Sequence, residues 1–90
     1  MKGQIIKIKE DNFKDGKGYW VFFKMEDGGS GLTYLLETFG NFNNWKPYLR
    51  VGQTLDGLRW KNKKKRIIDA DSMISPTIDL EKMARLRIFE

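Results

Sequence analysis

The sequence predicts a small all-β domain with short helices. Five strands close into a Greek-key barrel, a helix lies between the third and fourth, and a helical segment follows at the C-terminal end. Three observations lead there. Residues 19–25 alternate at the two-residue period of a strand, with Tyr19, Val21, Phe23 and Met25 on one face and Trp20, Phe22 and Lys24 on the other. Directly after that run, Asp27-Gly28-Gly29-Ser30-Gly31 is a dense turn signal. Two more short strand patterns, Thr54–Lys61 and Arg66–Met73, come after a stretch of different character around Asn43-Asn44-Trp45. On this reading the barrel spans residues 1–75 and the helical segment 76–90.

In chain order, Lys2–Lys9 is the first strand, with Ile6 and Ile8 on one face and Ile5, Lys7 and Lys9 on the other. Glu10–Lys17 is polar and reads as an extended loop, made basic by Lys14 and Lys17. The second strand carries the unusual face: two flat rings and a cation stand where a half-buried strand is normally polar. The glycines of 27–31 lack the Gly-Lys-Ser/Thr of a phosphate-binding loop and precede no helix, so they read as a hairpin turn. Leu32–Thr38 is the third strand. Tyr34 joins Trp20 and Phe22 outside if a bulge shifts the register, and otherwise faces the core.

Asn43-Asn44 reads as the cap of a short helix over Trp45–Leu49, with Pro47 tolerated in its first turn. Phe42, Trp45 and Leu49 then plug one end of the barrel. Gly57 falls inside the fourth strand, where glycine marks a bulge or sharp bend. Ile68 and Ala70 face inward from the fifth strand. Ser75-Pro76 ends the pattern, and Leu80, Met83, Ala84 and Ile88 recur at helical spacing beyond it, a face for the barrel, a second copy or another protein.

Composition narrows the chemistry. Ninety residues make one small domain, and an aromatic share of 13% supplies the large side chains its core needs. With no cysteine and no histidine, the chain lacks a thiol nucleophile, the commonest general base and the commonest metal ligands. Most enzyme classes are disfavoured, and no cofactor or metal is expected. A net charge of +5 points to a polyanionic partner. No apolar run reaches the roughly 18–20 residues of a membrane span, and Met1-Lys2-Gly3-Gln4 does not open a secretory signal, so a cytoplasmic protein is expected.

Strand, strand, strand, helix, strand, strand is the order of the OB-fold. With the aromatic second strand, Val51-Gly52-Gln53-Thr54-Leu55 after the helix, Gly57 at the bend and Ile68-Asp69-Ala70-Asp71-Ser72 in the fifth strand, the chain resembles the small single-stranded-DNA-binding OB proteins of phages and mobile elements from Lys2 to about Ile74. The resemblance implies a ligand lying across strands two and three, in replication or recombination. It places Trp20, Phe22, Lys24 and, if outward, Tyr34 on the platform. Lys14 and Lys17 stand on one flank, with Lys7 and Lys9 on the neighbouring strand, and Arg59, Lys61, Lys63, Lys64, Lys65 and Arg66 on the other. A fainter similarity to RNA-binding cold-shock proteins rests on Met1-Lys2-Gly3 and Lys17-Gly18-Tyr19, without their paired aromatic motifs. Bacterial single-strand-binding proteins recruit partners with an acidic tail; Arg85-Leu86-Arg87-Ile88-Phe89-Glu90 is not one.

Six of the eight residues from Arg59 to Arg66 are basic, which suits a hairpin tip that holds phosphates while bases stack on Trp20 and Phe22. Trp60, within that run, is either a core ring or a third stacking surface. Asp69 and Asp71 share a strand face, but two carboxylates without a third ligand make a poor magnesium site and more simply pair with nearby cations. The expected function is therefore binding of single-stranded DNA with little sequence preference. The rivals are RNA binding and a protein-docking domain.

Overall fold

The computed structural model describes residues 1–77. It is mostly strand with one short helix, and its seven strands form one strongly curled, open sheet, a half-barrel. The strands are β1 (Gly3–Phe13), β2 (Gly16–Met25), β3 (Ser30–Leu36), β4 (Thr54–Asp56), β5 (Trp60–Asn62), β6 (Ile67–Ile68) and β7 (Ser75–Thr77), in the spatial order β5-β6-β3-β2-β1-β4-β7. All pairs are antiparallel except β3 with β6. The helical segment expected beyond Ser75-Pro76 lies outside the described residues from 78 onward.

Seven strands stand where five were expected, because the fourth is split in two and a further strand, β7, follows the fifth. Gly57, at φ +84°, divides the fourth into β4 and β5. Only Ile67–Ile68 of Arg66–Met73 pairs regularly. Ser75-Pro76, expected to end the pattern, instead belongs to β7. Proline is tolerated there because β7 is an edge strand and needs fewer amide donors.

The first hairpin also differs from expectation. Ile5 pairs with Phe23 and Lys7 with Phe22, leaving Ile6 as an extra residue in a bulge. The bulge reverses the alternation. Ile5 is fully buried and Ile8 packs on the core, whereas Ile6 is 51% exposed, so Ile6 and Ile8 do not share a face. It also turns Lys7 and Lys9 away from the Ile5 side. The ladder then continues to Phe13 opposite Gly16, so the expected Glu10–Lys17 loop is only a Lys14-Asp15 turn. Gly16, at φ +124°, permits that tight reversal.

The helix α1 (Phe42–Trp45) starts three residues before the expected Trp45 and passes into a 3-10 turn over Lys46–Tyr48 containing Pro47. Asn41 holds the N-cap position without a side-chain capping bond, and Asn43 and Asn44 lie inside the helix. Its purpose in the fold matches the expectation: Phe42 and Trp45 are buried and Leu49 packs beside them. They close on Ile5, Val21, Phe23, Met25, Leu35, Leu55, Leu58 and Ile68 as one apolar cluster.

A buried hydroxyl ties the parallel edge to this core. Thr33 is 1% exposed and donates to the Ile68 carbonyl at 3.0 Å. Thr33→Val keeps the shape but removes the donor. It should destabilise the domain by about 1–3 kcal/mol, the usual cost of an unsatisfied buried polar group, read as a lower urea midpoint. Among the described residues no helix is long and apolar enough to cross a membrane.

Candidate nucleic-acid interface

The meander of β1, β2 and β3 supplies the floor. Directly opposed residues share a face, so Lys7, Phe22 and Leu32 form one row across its outer side, and Lys9, Trp20 and Tyr34 form the next. Gln4, Lys24 and Ser30 make a third row toward the β2–β3 turn. The β2–β3 register runs unbroken from Gly18 opposite Leu36 to Lys24 opposite Ser30, so Tyr34 faces outward without the bulge the sequence reading required.

Trp20 and Tyr34 are half-buried, with ring centroids 4.8 Å apart at 43°. Phe13, hidden from the sequence reading inside the supposed loop, meets both rings edge-on, at 6.0 Å from Trp20 and 4.7 Å from Tyr34. The signal that could have found it is the continued alternation Lys7, Lys9, Asp11, Phe13. Gly18 makes room for this trio: a Cβ there would stand 2.8 Å from the Tyr34 hydroxyl and 3.0 Å from the Phe13 ring. Phe22 lies one row away with the Lys7 ammonium 5.6 Å from its centroid.

Charge is distributed unevenly along the meander, with Glu10 and Lys17 on the Tyr19 side of the sheet. The hairpin expected to be a basic flank carries Glu10, Asp11 and Asp15 against Lys14 and Lys17. Lys17 is paired with Glu10 at 2.7 Å, and the hydrogen bond to that carboxylate holds its ammonium above the ordinary lysine range. Desolvation, followed by the Asp11 and Asp15 carboxylates, pushes the Tyr34 hydroxyl up. On the inner face Tyr19 stacks on Phe42 at 5.7 Å and donates to Glu37 at 2.6 Å, and that bond raises its hydroxyl's pKa.

The cationic turn joins the other end. Ile67 pairs with Leu32, so the β5–β6 turn adjoins the Ser30 end of β3, about 13 Å along the strand from Tyr34 at 3.3 Å per residue. Lys61, Lys63, Lys64 and Lys65 are exposed and form no ion pair among the described residues. Lys24 is exposed on the same side of the sheet. Arg59 and Arg66 differ. Arg59 lies 3.6 Å from Asp69 and donates to the Asp71 carbonyl at 3.4 Å. Arg66 spreads its guanidinium 4.7 Å from the Trp60 ring centroid and donates to both oxygens of Asp27. Trp60 therefore has core on one side and a cation on another, and it is not an open stacking surface.

A cleft of about 380 Å³ lies beside this face, with Tyr34, Lys61 and Ile67 on its walls. Phe39, also on its wall and 55% exposed, is a second ring the sequence reading passed over. Asp69 and Asp71 lie there too. The Asp71 carboxylate accepts from the Asn41 amide at 3.0 Å, and Asp69 accepts the Asp71 backbone N–H at 2.9 Å. Among the described residues no group of three acidic, histidine or cysteine side chains is arranged to hold a metal ion. No protein-family model, curated protein or solved structure gives a significant match to the chain.

Proposed function

We propose that this domain is an OB-like barrel that binds single-stranded DNA with little sequence preference, coating strands exposed during replication or recombination. The fold part of the reading rests on how one run of chain links the two sides of the open sheet. β4 pairs with β1, β5 pairs with β6, and both belong to the single run Thr54–Asn62, which supports reading them as one barrel strand bent at Gly57. The parallel β3–β6 pair and the helix between β3 and β4 belong to the same plan.

One observation carries the functional part: rings and ammonium groups that form no ion pair among the described residues occupy neighbouring parts of one surface. Trp20, Tyr34 and Phe13 offer aromatic edges and faces, Phe22 extends them, Lys7 and Lys9 stand in the same rows, and Lys24 stands in the row beyond Phe22. Stacking tolerates any base, and phosphate neutralisation ignores sequence.

Anisotropy titrations of labelled oligo-dT test this. Trp20→Ala should weaken binding by about 1–3 kcal/mol, the cost of losing one stacking ring. Replacing Lys63, Lys64 and Lys65 with glutamine should reduce the salt slope by up to about 2, given roughly 0.7 per phosphate contact on a single strand. Titrations that neither change affects would sink the assignment. A matched RNA oligonucleotide in competition separates DNA from RNA as the preferred strand.

A further inference from the structure

Arg66 stands out among the basic residues of the β5–β6 turn because its backbone, its Nε, one terminal nitrogen and its ring-facing surface are already engaged. Its backbone adopts φ +56°, the left-handed region that a side chain other than glycine rarely enters. Its carbonyl accepts the Leu32 N–H at 3.1 Å, which fastens the turn to β3. Its Nε donates to the Ser30 carbonyl, and one terminal nitrogen reaches the Asp27 carboxylate at 2.9 and 3.0 Å. The plane of the guanidinium lies against Trp60. Room for it comes from Gly29, where a Cβ would stand 2.6 Å from that nitrogen. Asp27 in turn accepts the Gly29 N–H at 2.9 Å; that bond and then Arg66 hold its carboxyl below the usual range, with a smaller attraction from Lys63.

We infer that Arg66 is a positioning residue and not a phosphate ligand: bolted to Asp27, Ser30 and Trp60, it fixes the lysine turn beside the outer face of β3. The inference rests on the reading of that face as a binding surface for single-stranded DNA. The chemistry separates the two roles. With Nε and one terminal nitrogen committed to a carbonyl and a carboxylate, the guanidinium keeps only its other terminal nitrogen for a phosphate and cannot offer its fork. By contrast, Lys63, Lys64 and Lys65 hang from the loop that this residue closes, with the Arg66 N–H donating to the Lys63 carbonyl at 3.1 Å. A turn fixed in the competent position does not lose affinity to its other conformations.

Asp27→Asn gives the two roles opposite signs. If Arg66 or its neighbours act only through charge, removing a carboxylate beside the lysine turn must strengthen binding to a polyanion. If Arg66 positions the turn through Asp27, the same change must weaken it. We expect oligo-dT affinity to fall about threefold to tenfold, as when a competent conformation drops to a third or a tenth of the population. Arg66→Lys keeps the charge and loses the fork, so it should fall by a similar factor. The double variant should be no worse than the weaker single, because both changes break one contact. Affinities are measured well below the melting temperature of each variant, so lost fold stability does not enter. Asp27→Asn binding more tightly than the parent, or Arg66→Lys binding equally well, overturns the inference while leaving the functional reading intact. A parent protein that does not bind oligo-dT at low salt removes both.

Discussion

Trp45→Ala should bring the domain close to unfolding. The side chain is fully buried and touches the core from the helix side, with its ring centroid 6.2 Å from that of Phe23. Its indole N–H donates to the Ala70 carbonyl at 2.8 Å, so the change opens a cavity and strands an acceptor together. Large aromatic truncations in a core cost about 3–5 kcal/mol, against a total of about 5–15 kcal/mol for a native domain. Chemical denaturation should show a midpoint lowered by a large fraction, or no folded baseline at all. Trp45→Phe separates the parts. It retains most of the volume and loses the hydrogen bond, so its cost should be the smaller. Equal midpoints for the parent and the alanine variant would mean the helix does not plug this core.

Gly57→Ala is the second large effect, and it acts on the backbone. At φ +84° an L-residue costs about 1–2 kcal/mol from conformation alone. The added methyl would also overlap the Met73 carbonyl oxygen, which belongs to main chain and cannot swing aside as a side chain would. The strand bend that carries the chain from β1's side of the sheet to β6's side would then have to open. The expected result is a drop in urea midpoint larger than that of Thr33→Val. It should come with faster amide exchange at Leu55, on β4, than at Val21, in the middle of the meander. Exchange rates that rise equally at both positions would argue for global loosening in place of a local fault at the bend.

The meander was the most legible part of the fold. Tyr19 to Met25 alternates without interruption, and Val21, Phe23 and Met25 are buried as that period requires. The Asp27–Gly31 turn was equally plain, since Gly28 at φ +88° needs a residue without a Cβ. What period-two reasoning could not supply was the extra residue in β1. A bulge depends on how β1 meets its partner, and nothing in Ile5-Ile6 says which isoleucine is inward. The same limit hid Phe13, which became visible only once the ladder was seen to run to the hairpin tip. The helix was displaced because Asn43-Asn44 has the chemistry of a cap, whereas burial of Phe42 and Trp45 decides where the helix lies.

The candidate surface was legible in residue type more than in partnership. Trp20, Phe22, Tyr34 and the lysines stand outside, but sequence gives no hint of which charges are already spoken for. Glu10 takes Lys17, Asp69 draws Arg59, and Asp27 takes Arg66. Those pairings are a long-range contact for Arg66 and cross-strand hairpin contacts for Arg59 and Lys17. They turn an apparently uniform basic character into one cationic end and one mixed end.

The three indoles sit in three unlike surroundings, and this makes the molecule its own optical probe. Trp45 is sealed in apolar contacts, Trp60 lies under a guanidinium, and Trp20 shares the outer face with Tyr34. Emission from the first should track loss of the native state, whereas quenching of the last should track occupancy of the surface. Single-tryptophan variants would thus report folding and ligation on separate channels without any attached dye.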